Sequence, residues 1–321
     1  MNPIKTTLAL SLALLAAEVF PAPEAAHSQG NALSVTLQND AVAGTDHRYS
    51  SGFEFTSISW KRHASLAPFD APPEWFAYPP APGALTRVAG DSFQFRTLAV
   101  GQKIYTPSDL SRSDYIARDR PYAGWTYVKI ANEKSSAAQR SLIAIEAGTF
   151  GPNSQAGDFQ RSIHKFIGSA TPRGWEHQVQ NKIAADLVLE RENRLFSRRI
   201  PGDYRLNLSA AEQLTIGTAR AHLKLDWIAR LGKGNTGSRR PSIQYFSRAS
   251  LSLVGRDRSL SGPLPGEFTR VAKSSLVPAF ELGFEYRVGK RSLAFSLIQQ
   301  GRQFKSQAGN HTFGSLRYTV W

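Results

Sequence analysis

Past residue 28 the chain alternates apolar and polar residues with a period of two, and helical periodicity is nearly absent. In the stretch Phe280 to Val288, Phe280, Leu282, Phe284, Tyr286 and Val288 form an apolar face, and Glu281, Gly283, Glu285 and Arg287 form the other. Ala221 to Trp227 repeats this, with His222, Lys224 and Asp226 on the second face; Tyr204, Leu206 and Leu208 alternate with Arg205 and Asn207. A soluble sandwich also buries one face, so alternation alone does not choose between architectures. Two features do. Full charges occupy the minority face in strand after strand, and aromatics recur near strand ends (Trp60, Tyr105, Trp125, Tyr127, Trp227, Tyr286, Tyr318, Trp321). A transmembrane barrel with a polar lumen and interfacial aromatic girdles has both.

About twelve strands can be placed, near 32–38, 52–60, 93–104, 124–132, 141–149, 181–194, 203–215, 218–230, 242–254, 278–288, 291–302 and 310–321. An even number suits an antiparallel barrel with both ends at one side. The expected fold class is therefore all-β, a transmembrane antiparallel barrel of the bacterial outer membrane with one or two short helices beside it. The last strand ends in an aromatic, Trp321, which lies off the Leu316/Tyr318/Val320 face.

Export is consistent with this. Lys5, the apolar run Leu8 to Phe20 and the small-x-small site Ala26-His27-Ser28 read as a secretory signal peptide over 1–28, leaving 29–321 as a single barrel domain. The apolar run is too short for a spanning helix with normal flanks, and no later stretch is long and apolar enough. There is no cysteine, which excludes a disulfide framework and thiol chemistry. The net charge of +14 implies an anionic partner. For an exported chain that is phosphate on a membrane surface rather than nucleic acid. The chain is expected to act as a monomer.

The connections differ in character. Residues 62–90 hold Pro68, Pro72, Pro73, Pro79, Pro80 and Pro82 with Trp75, Phe76 and Tyr78, and are expected to form a long, stiff extracellular loop. Residues 231–241 and 255–277 read as further basic loops. Gly151 to Gly168 breaks the β pattern. Phe159, Ile163, Phe166 and Ile167 fall at helical spacing, Gly168 suits the residue just past a helix end, and Gln160 and His164 share a second face four residues apart. The apolar stripe is expected to pack on the barrel, with Gln160 and His164 looking along its surface.

The stretch Leu37 to Gly52 places Asn39-Asp40, a small bend, then Thr45-Asp46-His47-Arg48-Tyr49-Ser50-Ser51 between two strands. Read locally, it is an Asx-rich turn closed by a glycine. It also holds more acid, amide and hydroxyl groups than a strand connection needs.

Together these segments resemble the outer-membrane lipid A 3-O-deacylase family. The resemblance lies in Gln38-Asn39-Asp40 with Thr45 to Gly52, Gly101-Gln102, Tyr105-Thr106-Pro107-Ser108-Asp109, Asp119-Arg120-Pro121-Tyr122-Ala123-Gly124-Trp125, Gly148, Gly151-Pro152, Gln160, His164, and Gly174-Trp175-Glu176-His177-Gln178. Their order and spacing agree over most of 38–178; the C-terminal half matches only as barrel strands. The resemblance implies a twelve-stranded barrel and a calcium-dependent hydrolysis of the ester that holds the 3′ acyloxyacyl group of lipid A in lipopolysaccharide. It implies His164 as general base, with Gln160, Asn39 and Asp40 in the catalytic group. Calcium would take oxygen ligands from Asp40, Asn39, Thr45 and Asp46 and stabilise the oxyanion. Arg118, Arg120, Lys103 and Thr106 are candidates to hold the substrate's glucosamine phosphates. The chain departs from the family pattern at His47 and at Ser50-Ser51.

Two other readings compete. An outer-membrane phospholipase-type esterase would pair Ser50 or Ser51 with a histidine such as His47, but the His-x-Ser-x-Gly arrangement is missing. A porin or adhesin barrel would use the same polar cluster to line a lumen or bind an ion.

Overall fold

The computed structural model describes residues 29–43, 48–63, 92–233, 241–261 and 271–321. The signal peptide and most of the proline-rich linker lie outside them. The strands are β1 (Gln29–Asn39), β2 (Arg48–His63), β3 (Ser92–Thr106), β4 (Ala123–Ser135), β5 (Gln139–Phe150), β6 (Lys182–Ile200), β7 (Tyr204–Gly217), β8 (Arg220–Lys233), β9 (Ser242–Asp257), β10 (Leu276–Val288), β11 (Arg291–Gln300) and β12 (His311–Val320). Each pairs antiparallel with its neighbours in sequence, and β12 closes on β1, with Leu33 facing Val320. All twelve expected strands are present; β6 runs to Ile200, past its expected end at 194. One α-helix, α1 (Ala156–Ile167), lies between β5 and β6.

The alternation sorts residues as expected. On β10, Phe280 and Leu282 are 50% and 58% exposed outward, while Glu281 and Glu285 are buried in the lumen. An outward apolar band and an inward polar one are what a barrel in lipid requires. Inside, charges are paired: Lys129 with Glu54 at 2.9 Å, Lys224 with Asp226 at 3.0 Å, Arg220 with Asp186 at 2.9 Å. Of these, Glu54, Lys129, Arg220, Lys224 and Asp226 line an interior cavity of about 510 Å³.

The aromatics divide. Trp227, Tyr286 and Tyr318 face outward, as expected of a girdle. Trp60, Trp125 and Tyr127 are buried instead. Trp125 stacks between Tyr127 and Phe150 at ring distances of 6.0 and 4.5 Å, filling one end of the lumen. Trp60 meets Trp321 edge-on at 5.6 Å at the other end, so the terminal aromatic plugs the lumen, as its phase requires.

The two rims are unlike. Short turns at 136–138, 201–203 and 289–290 share one rim with the start of β1 and the end of β12. In outer-membrane barrels that rim faces the periplasm. The ends of β2 and β3, at His63 and Ser92, also lie there. The proline-rich linker is therefore attached at the periplasmic rim, not the extracellular one expected. The linker joins a descending strand to an ascending one, and strand parity fixes its side. The opposite rim carries the excursions at 107–122, 151–181 and 301–310.

Candidate active site

The floor of the site is the outer wall of β1, β2 and β3 at the extracellular rim. β1 ends at Asn39, whose Oδ1 accepts the Ala41 amide at 2.7 Å. This Asx turn bends the chain into a 3-10 turn, Asp40–Ala43. Val42 lies over Gly314 of β12, where a Cβ would come within 2.7 Å of Val42 Cβ, so the turn folds back on the outer wall. Asp40 is fully buried. Asn39 pairs with Ser51 across the β1–β2 ladder. The β2–β3 ladder slips between Tyr49 and Ser51, leaving Ser50 as a bulge residue. Tyr49 turns inward to Gln38, while buried Ser50 receives a bond from the helix outside the wall.

The roof is α1. Gly151, at φ 81°, turns the chain out of β5. Ser154 and Ala156 then sit on Gly124, an outward position of β4, where any Cβ would lie 2.1 Å from Ser154 Oγ. Gln102 Nε2, also outward, donates to the Ser154 carbonyl at 2.7 Å and to Thr126 Oγ1 at 2.9 Å. Gly157 lets the helix close on Trp175, 2.9 Å from where a Cβ would be. Gly168, at φ 70°, ends the helix with its amide on the His164 carbonyl, as its sequence position suggested.

The helix is docked the other way round from the expectation. Ala156, Gly157, Gln160 and His164 are the buried face, while Phe159 and Phe166 are 39% and 67% exposed. The reason is the surroundings. Outside a membrane barrel the outward medium is apolar, so the apolar stripe faces out and the polar face turns to the wall. Phe159 still touches outward Phe53 at 5.0 Å.

The polar side chains of the buried helix face are held from several elements. Trp175 Nε1 donates to Gln160 Oε1 at 2.8 Å, and Gln160 Nε2 donates to Ser50 Oγ at 3.2 Å. His164 Nδ1 lies 2.6 Å from the Ala170 carbonyl. A carbonyl only accepts, so Nδ1 carries the hydrogen and Nε2 is the basic nitrogen. Gln160 is thus tied to Ser50, the neighbour of the Ser51 that pairs with Asn39, while Asp40 follows Asn39 in the chain and His164 lies one helical turn past Gln160. Thr45 and Asp46 lie outside the described residues.

The four substrate-contact candidates are scattered. Arg120 is buried, with NH1 on Gln303 Oε1 at 2.8 Å, NH2 on Ser259 Oγ at 2.9 Å, and its guanidinium 4.5 Å from the Tyr105 ring. It ties three extracellular excursions over the lumen mouth. Lys103 points inward, its ammonium 5.1 Å over the Tyr127 ring. Neither faces the helix side of the wall. Arg118 is exposed at the rim, at φ 69°. Thr106 is buried, and its hydroxyl has no hydrogen-bond partner among the described residues. The excursion at 107–122 packs on the roof through Leu110 and Tyr122 against Trp175 and Ala156, and the Arg173 amide bonds the Leu110 carbonyl at 3.0 Å. Within it, hydrogen bonds from Ser111 hold the Asp109 carboxyl below its usual range.

Sequence reasoning missed three supports: the Ser50 bulge, the Trp175 indole and the Ala170 carbonyl. The bulge falls in the polar run Tyr49-Ser50-Ser51, where a one-residue slip does not show in the apolar–polar alternation, and a carbonyl partner carries no side-chain signature.

For a metal, no group of three or more His, Asp or Glu side chains occurs among the described residues. The donors present are hard oxygens, headed by the buried Asp40 carboxylate. That fits calcium by type, since calcium takes oxygen ligands.

A family described as outer membrane protein LpxR matches residues 8–321. Among solved structures, LpxR from Salmonella typhimurium superposes with a TM-score of 0.70 at 15% identity, covering 90% of this chain and 99% of that one. The β domain of the Bordetella autotransporter BrkA (TM-score 0.45, 9% identity, 92% and 99% covered) and the translocator domain of autotransporter NalP from Neisseria meningitidis (0.40, 9%, 93% and 90%) are more distant. No curated protein matches by sequence.

Proposed function

The chain belongs to the LpxR family of outer membrane proteins and lies in the bacterial outer membrane, and from that premise we propose that it is a lipid A deacylase that hydrolyses the 3′ ester of lipid A. The observation that carries the reading is a buried histidine with a defined tautomer, held by a helix strapped to the outside of the barrel wall. Outside the wall, at the extracellular rim, is where the lipid of the outer leaflet lies. A lumen site would serve a soluble substrate instead.

In this reading, His164 Nε2 takes a proton from water as the water oxygen adds to the ester carbonyl. The protonated imidazole, still held by the Ala170 carbonyl, then gives that proton to the departing 3′ oxygen of the sugar. The products are the free fatty acid and a 3′ hydroxyl. Gln160 is fixed at both ends of its amide by Trp175 and Ser50, so it keeps the helix face in register with β2 at no cost of reorganisation. The apolar stripe around Phe159 and Phe166 offers a surface to acyl chains. Asp40 with Asn39, Thr45 and Asp46 would hold calcium. When bound, calcium supplies positive charge for the developing oxyanion.

The test is to give purified lipopolysaccharide to membranes containing the protein, with and without EDTA, and to weigh the lipid A by mass spectrometry. Loss of one 3′ acyloxyacyl group that stops with EDTA and returns with calcium is expected. Unchanged lipid A in the calcium arm sinks the proposal.

A further inference from the structure

At the periplasmic rim, β6 outruns β5. Their last pair is Gln139 with Asn193, and the Arg194 amide bonds the Ala138 carbonyl at 2.8 Å. Beyond that point β6 continues against β7 alone, down to Ile200 with Tyr204, and β7 runs with β8 to Tyr204 with Lys233. The ends of β6 and β7 therefore project past β5 as a flap, backed by β8, which stays paired with β9 down to Gly232 with Gln244. A bulge between Arg194 and Phe196 resets its alternation.

The inner face of the flap is basic. Arg230 faces the lumen side, bonding Glu192 at 2.5 and 3.0 Å and Ser209 at 3.4 Å. In register with it lie Asn207 and Ser197, then Arg205 directly opposite Arg199. Arg205 NH1 reaches Ser197 Oγ at 3.4 Å. Arg194 pairs with Ser209 on the same face. Glu192 is engaged by Arg230, and among the described residues Arg194, Arg199 and Arg205 form no ion pair. Like charges directly opposite each other weaken a sheet unless an anion lies between them. Asn207 Oδ1, beside them, is buried with no hydrogen-bond partner among the described residues.

The other face is largely apolar. Phe196 and Leu208 are 43% and 38% exposed, in register with Leu206, Ile200 and Tyr204, and two cations interrupt them, Arg198 opposite Leu206 and Lys233 over the Tyr204 ring. An element with one largely apolar and one arginine-rich face belongs at a membrane interface, acyl chains against the first and phosphates by the second. Guanidinium forks match a phosphate with two parallel bonds. The orphan Asn207 oxygen asks for a donor that a bare phosphate diester lacks and a glycerol hydroxyl supplies.

We propose that the β6–β7–β8 flap is a binding site for an anionic phospholipid headgroup of the periplasmic leaflet, of the phosphatidylglycerol class. The phosphate sits between Arg199 and Arg205, with Arg194 beside them.

The test uses the full chain in nanodiscs of phosphatidylcholine with or without phosphatidylglycerol, with retained lipid counted by native mass spectrometry. Wild type retains phosphatidylglycerol over phosphatidylcholine, less so as salt rises. The double variant Arg199→Gln/Arg205→Gln retains at least about tenfold less, a 1.4 kcal/mol change. Arg199→Lys/Arg205→Lys keeps part of the binding, and Arg198→Gln, on the apolar face, keeps all of it. A heat-modifiable gel shift equal to wild type certifies the fold of each. Equal retention by the double glutamine variant overturns the site. Displacement of the lipid by millimolar inorganic phosphate overturns the lipid source in favour of a free anion. No readout depends on deacylation, so this result and that of the lipid A assay stand apart.

Discussion

Gln102 and Lys103 are neighbours on β3, yet they serve opposite sides of the wall. Gln102 faces out, under the roof helix, and binds the Ser154 carbonyl. Lys103 faces in, over Tyr127, among charges that are mostly paired. Outside, the groups are mostly neutral, amides, hydroxyls and one imidazole beside the buried Asp40 carboxylate, fixed by hydrogen bonds and by a helix that approaches to glycine distance. Inside, they are ions compensating one another. A buried charge needs a partner to be tolerated, and a partnered charge has little left for a substrate. On the proposed function, the interior is structural and the chemistry belongs to the outer face.

If that division holds, His164→Ala has the largest effect. Loss of a positioned general base lowers the rate of deacylation by about 10²- to 10⁴-fold. The barrel is untouched, because His164 is on a helix outside the ladder, so the heat-modifiable shift stays as in wild type. A variant that keeps full activity would show that the outer face does not carry the reaction through this imidazole.

Gly124→Val probes the seating of the helix rather than its chemistry. Its side chain would enter the space of Ser154 Oγ, 2.1 Å from the Cβ position. The helix must lift by an ångström or more, which costs about ten- to a hundredfold in rate for a positioned group. Faster proteolysis within 151–168 of the folded barrel should accompany the loss. Unchanged activity with a lifted helix would mean that close docking is not needed.

Much of this was legible in the residues. Twelve strands could be read because lipid outside and charge inside leave a strict period of two, and α1 because Phe159, Ile163, Phe166 and Ile167 break it. The grouping of Asn39, Asp40, Gln160 and His164 came from motif resemblance; of its links, the ladder shows the Asn39–Ser51 rung and the helix shows the Gln160–Ser50 bond. The docking face of α1 was not legible. A hydrophobic stripe tells which side seeks an apolar medium, and only the fold tells whether that medium is core or lipid. The same holds for Trp125 and Tyr127, which fill the lumen instead of girdling it. Arg120 looked like a phosphate contact by composition, but its destination depends on Ser259 and Gln303, far away in sequence.

Lys103 gives the smallest effect and the sharpest check on the two sides of the wall. As a phosphate contact, its loss would weaken substrate binding and raise KM. As an inward residue, its ammonium has the Tyr127 ring beneath it and the Glu54 and Glu146 charges nearby. Lys103→Met keeps the length of the side chain and removes the cation, at a cost of about 1–2 kcal/mol in barrel stability. Deacylation should change by less than about threefold, within the range of mutations that miss the reacting groups. The two quantities separate the roles. A lower unfolding midpoint in detergent with unchanged KM keeps Lys103 inside the barrel's own architecture. A tenfold rise in KM with an unchanged midpoint would mean that the lysine reaches substrate, and that the wall does not divide structure from chemistry at this height.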